Sequence, residues 1–93
     1  MENKGIIRRH MILSGRVQGV GFRYRAKYAA GTLGVTGWVK NQWDGTVEME
    51  AQGTIEQINK MLTIINQSEY IVIDNIEQKE IEPENNDTGF HVR

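Results

Sequence analysis

Between positions 15 and 23 the chain reads Gly15-Arg16-Val17-Gln18-Gly19-Val20-Gly21-Phe22-Arg23. Three glycines within seven positions let the backbone reach positive φ without steric penalty. A segment of this kind can turn successive backbone N–H groups inward and form an anion-binding concavity. An amphipathic helical pattern starts at Phe22, which sets the segment at the positive end of a helix dipole. Arg16 and Arg23 bracket it, and a guanidinium can hold phosphate through two parallel N–H donors. The chemistry these residue types suit is the cradling of a phosphate. No Gly-Lys-Ser/Thr follows, so the segment is no Walker loop, and Gly19-Val20-Gly21 is followed three residues later by Tyr24, which departs from the dinucleotide fingerprint. A purely structural alternative is a tight strand-to-helix turn with Arg23 in solvent.

The elements that must position the segment follow from periodicity. Ile6 to Ser14 reads as a strand with Ile7, Met11 and Leu13 on one face and His10 beside Arg8 on the other. Phe22, Ala26, Ala29 and Leu33 recur at helical spacing, and Gly34 is a natural left-handed terminator, so a helix is expected to end near Leu33. Val35 to Asn41 reads as a second strand, and Asp44-Gly45 as a hairpin turn leading into a third, Thr46 to Gln52. Thr54-x-x-Gln57 is a capping box that opens a second helix along Ile55, Ile58, Met61/Leu62 and Ile65. Tyr70 to Ile81 and Phe90 to Arg93 close the chain as a fourth strand and a short fifth.

The order is β-α-β-β-α-β plus a terminal strand, which predicts a ferredoxin-like α+β sandwich: an antiparallel four-stranded sheet, a short fifth C-terminal strand and two helices on one face. In that fold the end of the first strand, the start of the first helix, the end of the second strand and the hairpin share one edge. Asn41 has the parity of the helix-facing residues Val35, Gly37 and Val39, so it is expected to point toward the glycine segment and Arg23.

Composition bounds the rest. The 93 residues, 39% hydrophobic and 25% charged, suit one soluble globular domain over 1–93. No apolar run approaches the ~20 residues that span a bilayer, and Met1 to Gly5 does not begin a leader peptide, so a cytoplasmic location is expected. Without cysteine there is neither a disulfide nor a thiolate metal site, and neither His10 nor His91 has a second ligand at metal spacing; no metal and no cofactor are expected. Charge is uneven: residues 1–45 carry eight Lys/Arg against two Asp/Glu, and residues 46–93 three against ten. Interleaving of the halves in a small domain turns most of that contrast into mixed solvated faces.

The segment Gly15 to Arg23 resembles the signature loop of the acylphosphatases, and Gly34-Val35-Thr36-Gly37-Trp38-Val39-Lys40-Asn41 followed by Asp44-Gly45-Thr46-Val47 resembles their second signature. The similarity is specific from about Ile12 to Gly53 and continues more weakly to Phe90. It implies a βαββαβ sandwich that hydrolyses the carboxyl–phosphate bond of acyl phosphates. The family's phosphate-binding arginine falls on Arg23, its water-orienting asparagine on Asn41, and its phosphate-binding loop on Gly15, Arg16, Val17, Gln18, Gly19, Val20, Gly21 and Phe22. The ligands implied are a small-molecule acyl phosphate and inorganic phosphate, with no nucleic acid or membrane and a monomeric enzyme. Where relatives often carry Ser-Pro after the second helix, this chain reads Gln67-Ser68-Glu69-Tyr70.

Two other readings share the element order. An RNA-recognition module would stack bases on aromatics of the central strands, but the third strand offers Thr46, Glu48, Glu50 and Gln52 on its open face, and Trp38 is the one candidate platform. The resemblance also extends to acylphosphatase-like N-terminal domains of hydrogenase-maturation carbamoyltransferases, which act on carbamoyl phosphate. No zinc-finger cysteines follow in this chain, so a free-standing enzyme is expected.

Overall fold

The computed structural model describes residues 5–93; the reading of Met1 to Lys4 as carrying no leader lies outside the described residues. Seven elements follow in the order β1 (Ile7–Arg16), α1 (Phe22–Leu33), β2 (Thr36–Asn41), β3 (Val47–Gly53), α2 (Ile55–Asn66), β4 (Val72–Ile81) and β5 (Phe90–Val92). The strands lie side by side as β4-β1-β3-β2-β5. All neighbours are antiparallel except β2 and β5, which run parallel and make the sheet mixed at that edge.

Alternation places Met11 and Leu13 of β1, Val39 of β2 and Val47, Met49 and Ala51 of β3 on the helix-covered face, all fully buried. Phe22, Ala26, Ala29 and Ala30 of α1 and Ile58, Met61 and Ile65 of α2 complete one core. The small residues of α1 let it lie close to the sheet. Ile55, expected in the α2 stripe, is instead 37% exposed at the first helical position.

The two helices begin differently. The α2 capping box is present: Thr54 Oγ1 accepts from Gln57 N at 3.1 Å and Thr54 N donates to Gln57 Oε1 at 2.8 Å. Gln57 Nε2 then donates to the Leu33 carbonyl at 2.9 Å, so one amide ties the start of α2 to the end of α1. By contrast α1 starts from Gly21 in the left-handed region, φ +80°, with no side-chain cap and no acidic residue in its first turn. Its leading N–H groups, which every helix leaves without an internal partner, face the loop end of the sheet.

Two strand boundaries differ from the sequence reading by two residues, and the others by no more than one. β1 does not stop at Ser14 but continues through Gly15 and Arg16, which pair with Ile73 and Val72 of β4 across a register shift. Gly15 has φ +125°, and a Cβ there would run into the Val72 carbonyl oxygen with the Asp74 amide nitrogen 2.8 Å away. β4 begins at Val72 rather than Tyr70, because Ser68 holds residues 68–71 in a turn through Tyr70 N to Ser68 Oγ at 3.2 Å and Ile71 N to Ser68 O at 3.4 Å.

The other sheet face is not simply wet. Arg8 is 1% exposed there. Its Nε donates to Glu50 Oε1 at 2.8 Å, and its Nη1 donates to Asp87 Oδ2 at 2.8 Å and to Gln52 Oε1 at 3.1 Å. Gln52 also bonds the backbone of Glu84 on both sides. These bonds hold the segment 82–89 across the sheet and deliver β5 to the edge of β2.

Candidate active site

At the end of the sheet where β1 and β2 finish, a cavity of about 130 Å³ is lined by Val17, Gly19, Gly21, Phe22, Arg23, Tyr24 and Asn41. Larger hollows exist, one of about 290 Å³ along Leu62, Ile73 and Ile76 and one of about 420 Å³ along Arg25 and Gln67 to Tyr70, but neither is lined by Arg23 or Asn41. Three elements build the small cavity. The 17–21 loop supplies one wall, the uncapped start of α1 the floor, and Asn41, the last residue of β2, the facing side.

The residues named from sequence divide by what they touch. Gly19, Gly21, Phe22, Arg23, Asn41 and Val17 meet at the cavity, with Val17 and Phe22 also buried in the core. Gly15 and Arg16 belong to β1 and pair with β4, and neither lines the cavity. Gly15 is glycine because β4 lies against it. Val20 is half-buried and packs on the core. The Gln18 side chain turns away from the cavity and reaches the β2–β3 hairpin, donating to Gln42 O at 2.7 Å and Thr46 O at 2.9 Å. The loop and the hairpin that follows Asn41 are thus clasped together.

Arg23 is half-buried, and its Nη1 donates to the main-chain oxygen of Arg93 at 3.1 Å. One N–H of five is engaged there, which leaves a fork of donors for an anion. Four further residues border or back the site. Tyr24 forms part of the rim and is 68% exposed. Arg93 sits at the site because β5 runs parallel to β2, and its guanidinium lies 4.5 Å from the Trp38 ring centroid. Trp38 is therefore covered on one side by a cation. Gln42 and Glu48 lie behind Asn41, joined by a 2.9 Å hydrogen bond.

The carboxylates near the site are tied to structural partners. Glu48 lies below the usual carboxylate range, first because it is hydrogen-bonded to His10 and then through Gln42. Asp44 is lowered by its hydrogen bonds with Thr46, which close the hairpin turn. Among the described residues no group of three or more His, Cys, Asp or Glu side chains is placed to hold a metal ion. What the cavity offers is backbone N–H groups, one guanidinium and one amide side chain. That set can bind an oxyanion and orient a polar molecule beside it.

A sequence model of the acylphosphatase family matches residues 9–92. The acylphosphatase of Clostridium acetobutylicum is 44% identical over 79 residues, which covers 84% of this chain and 87% of that relative. The crystal structure of acylphosphatase from Bacillus subtilis superposes with a TM-score of 0.84 at 32% identity, covering 94% of this chain and 98% of the other. An acylphosphatase from Coxiella burnetii gives the same TM-score at 33% identity, over 100% and 98% of the two chains.

Proposed function

The chain belongs to the acylphosphatase family, and from that premise we propose that it hydrolyses acyl phosphates to a carboxylate and inorganic phosphate, with Arg23 and the loop amides holding the phosphoryl group and Asn41 aligning the attacking water. The observation that carries this reading is the meeting of Arg23, Asn41 and an uncapped helix start at one small cavity.

The absence of a nucleophile–base pair from that set suits the substrate. A carboxylate of low pKa departs without a general acid. Phosphoryl transfer through a loose transition state needs positioning and charge stabilisation above all. The α1 N–H groups and the Arg23 fork face three peripheral oxygens, and the Asn41 amide holds water in line on the opposite side from the leaving carboxylate. The water's proton passes to the substrate's own phosphoryl oxygen. Arg23 and the amides supply the positive field, so the reaction proceeds without a metal. Both halves of the site lie in one chain, so a single copy suffices as the catalytic unit.

The test is hydrolysis of benzoyl phosphate in EDTA with inorganic phosphate as competitor. Wild-type protein is expected to turn over and to be inhibited by phosphate under chelation. Arg23→Ala is expected to lose both properties while keeping its circular dichroism; an arginine in such a role contributes on the order of 10³–10⁵ in rate. Near-normal turnover by Arg23→Ala overturns the assignment.

A further inference from the structure

Asn41 ends β2, is exposed, and precedes a hairpin whose Trp43 is 98% exposed. A side chain so placed has few neighbours to hold it. The residue after it is held from every side. Gln42 N donates to Thr46 O at 2.8 Å, and Gln42 O accepts from Gly45 N at 3.2 Å and from Gln18 Nε2 at 2.7 Å. Its side chain works in the other direction: Nε2 donates to Glu48 Oε1 at 2.9 Å, while Oε1 lies 3.0 Å from Thr46 Oγ1, whose one proton it shares with Asp44 Oδ1 at 2.7 Å. Reversing that amide would set its oxygen against the Glu48 carboxylate, so one orientation is fixed by the network. Glu48 is itself anchored. His10 Nε2 lies 2.7 Å from its second oxygen, and Lys40 Nζ 3.7 Å from Oε1.

Two supports therefore converge on one residue. The main chain of Gln42 is gripped by the anion loop through Gln18, and its side chain is gripped from the open sheet face through Glu48. We propose that Gln42 is a positioning residue for the reaction, that it sets the direction of Asn41 relative to the bound phosphoryl group, and that Glu48 is the brace that keeps it there. The inference rests on the reading of Asn41 as the group that aligns water. It goes further by assigning work to a residue that does not line the cavity.

The consequence is specific to rate. An error of about 1 Å in a positioning group can lower turnover on the order of 10²-fold, whereas phosphate binding depends on Arg23 and the amides. Gln42→Ala is expected to lower kcat about 10–100-fold while KM and inhibition by phosphate stay within about twofold. A general loosening of the fold would move all three. The decisive measurement is a double-mutant cycle with Asn41→Ala. Residues that act through one another are non-additive, so Gln42→Ala is expected to lower kcat by less than about twofold once Asn41 is gone. A loss of the same size in both backgrounds overturns the inference and leaves the assignment of Asn41 standing. Full turnover by Asn41→Ala alone overturns both. Glu48 provides a second arm should Gln42→Ala fail to fold. Glu48→Gln keeps an oxygen that can accept from Gln42 and is expected to recover most of the kcat that Glu48→Ala loses; equal kcat for the two overturns the brace.

Discussion

Gly15→Ala separates two reasons for a glycine in the loop signature. In an anion cradle the glycine serves the ligand; in this fold Gly15 pairs with Ile73, and the β4 backbone leaves no room for a Cβ. A residue held at φ +125° carries about 1–3 kcal/mol of backbone strain. The Cβ must also push against the Val72 carbonyl and the Asp74 amide. Both are main chain, so relief requires opening the ladder at Gly15–Ile73 and Arg16–Val72, at about 0.5–1.5 kcal/mol per hydrogen bond. With one hydrogen bond lost at each pair, the sum is about 2–6 kcal/mol. Gly21→Ala is the control: φ is +80° and nothing lies within 4 Å of a new Cβ, so the expected loss is the left-handed penalty of about 1–2 kcal/mol. In a domain of this size each kcal/mol moves Tm by about 4–8 °C. Melting followed by circular dichroism is expected to fall by roughly 10–45 °C for Gly15→Ala and by roughly 5–15 °C for Gly21→Ala. Phosphate inhibition of the surviving folded Gly15→Ala is expected to match wild type well below its Tm. Equal losses of stability in the two variants, with phosphate binding lost only in Gly15→Ala, would refute the strand-pairing account.

Three further outcomes can be checked by unfolding. Arg8→Met is expected to cost about 3–5 kcal/mol in urea denaturation, because it strands the Glu50 and Asp87 carboxylates; a near-neutral effect would mean that segment 82–89 is held by something else. Asp87 lies below its ordinary range: burial pushes it up, but hydrogen bonds from Arg8 and Thr36 outweigh that, and Glu48 is lowered chiefly by its hydrogen bond with His10. Both carboxylates bind fewer protons folded than unfolded, so their stabilisation is present above the unfolded value near 4 and is lost as pH falls through the folded values. The urea midpoint is expected to drop between about pH 5 and pH 3, less steeply in Asp87→Asn with Glu48→Gln. Thr54→Ala removes the α2 cap and is expected to cost about 1 kcal/mol with kcat unchanged.

What was legible in the sequence was what short-range chemistry controls. The helical spacing from Phe22, the Thr54–Gln57 box and the Asp44-Gly45 turn each act within a few residues, and each element they mark is present. With those in order, strand parity predicted Asn41 near the glycine segment and Arg23, and all three line one cavity. What local pattern left unread has one physical origin, contact between distant segments. Gly15 is explained by β4, whose register no local pattern reveals. Arg8 showed only its place on the open face, because its partners at 50, 52, 84 and 87 arrive from β3 and from a segment that itself shows no periodicity. Gln18 sat in a glycine-rich stretch that suggested a ligand, while its amide was committed to two carbonyls of a hairpin.

The parallel pairing of β5 with β2 also governs how molecules meet one another. An unpaired strand edge is a template for joining sheets between chains. β5 covers the β2 edge at Gly37, Trp38 and Val39, and the new edge it presents is three residues long, too short to propagate a ladder. The opposite edge, β4, is ten residues long, and its second half carries Glu77, Lys79 and Glu80, all exposed. Another sheet docking there would have to desolvate those charges. Charge along the outer half of β4 thus opposes pairing of the sheet's one long free edge with another strand.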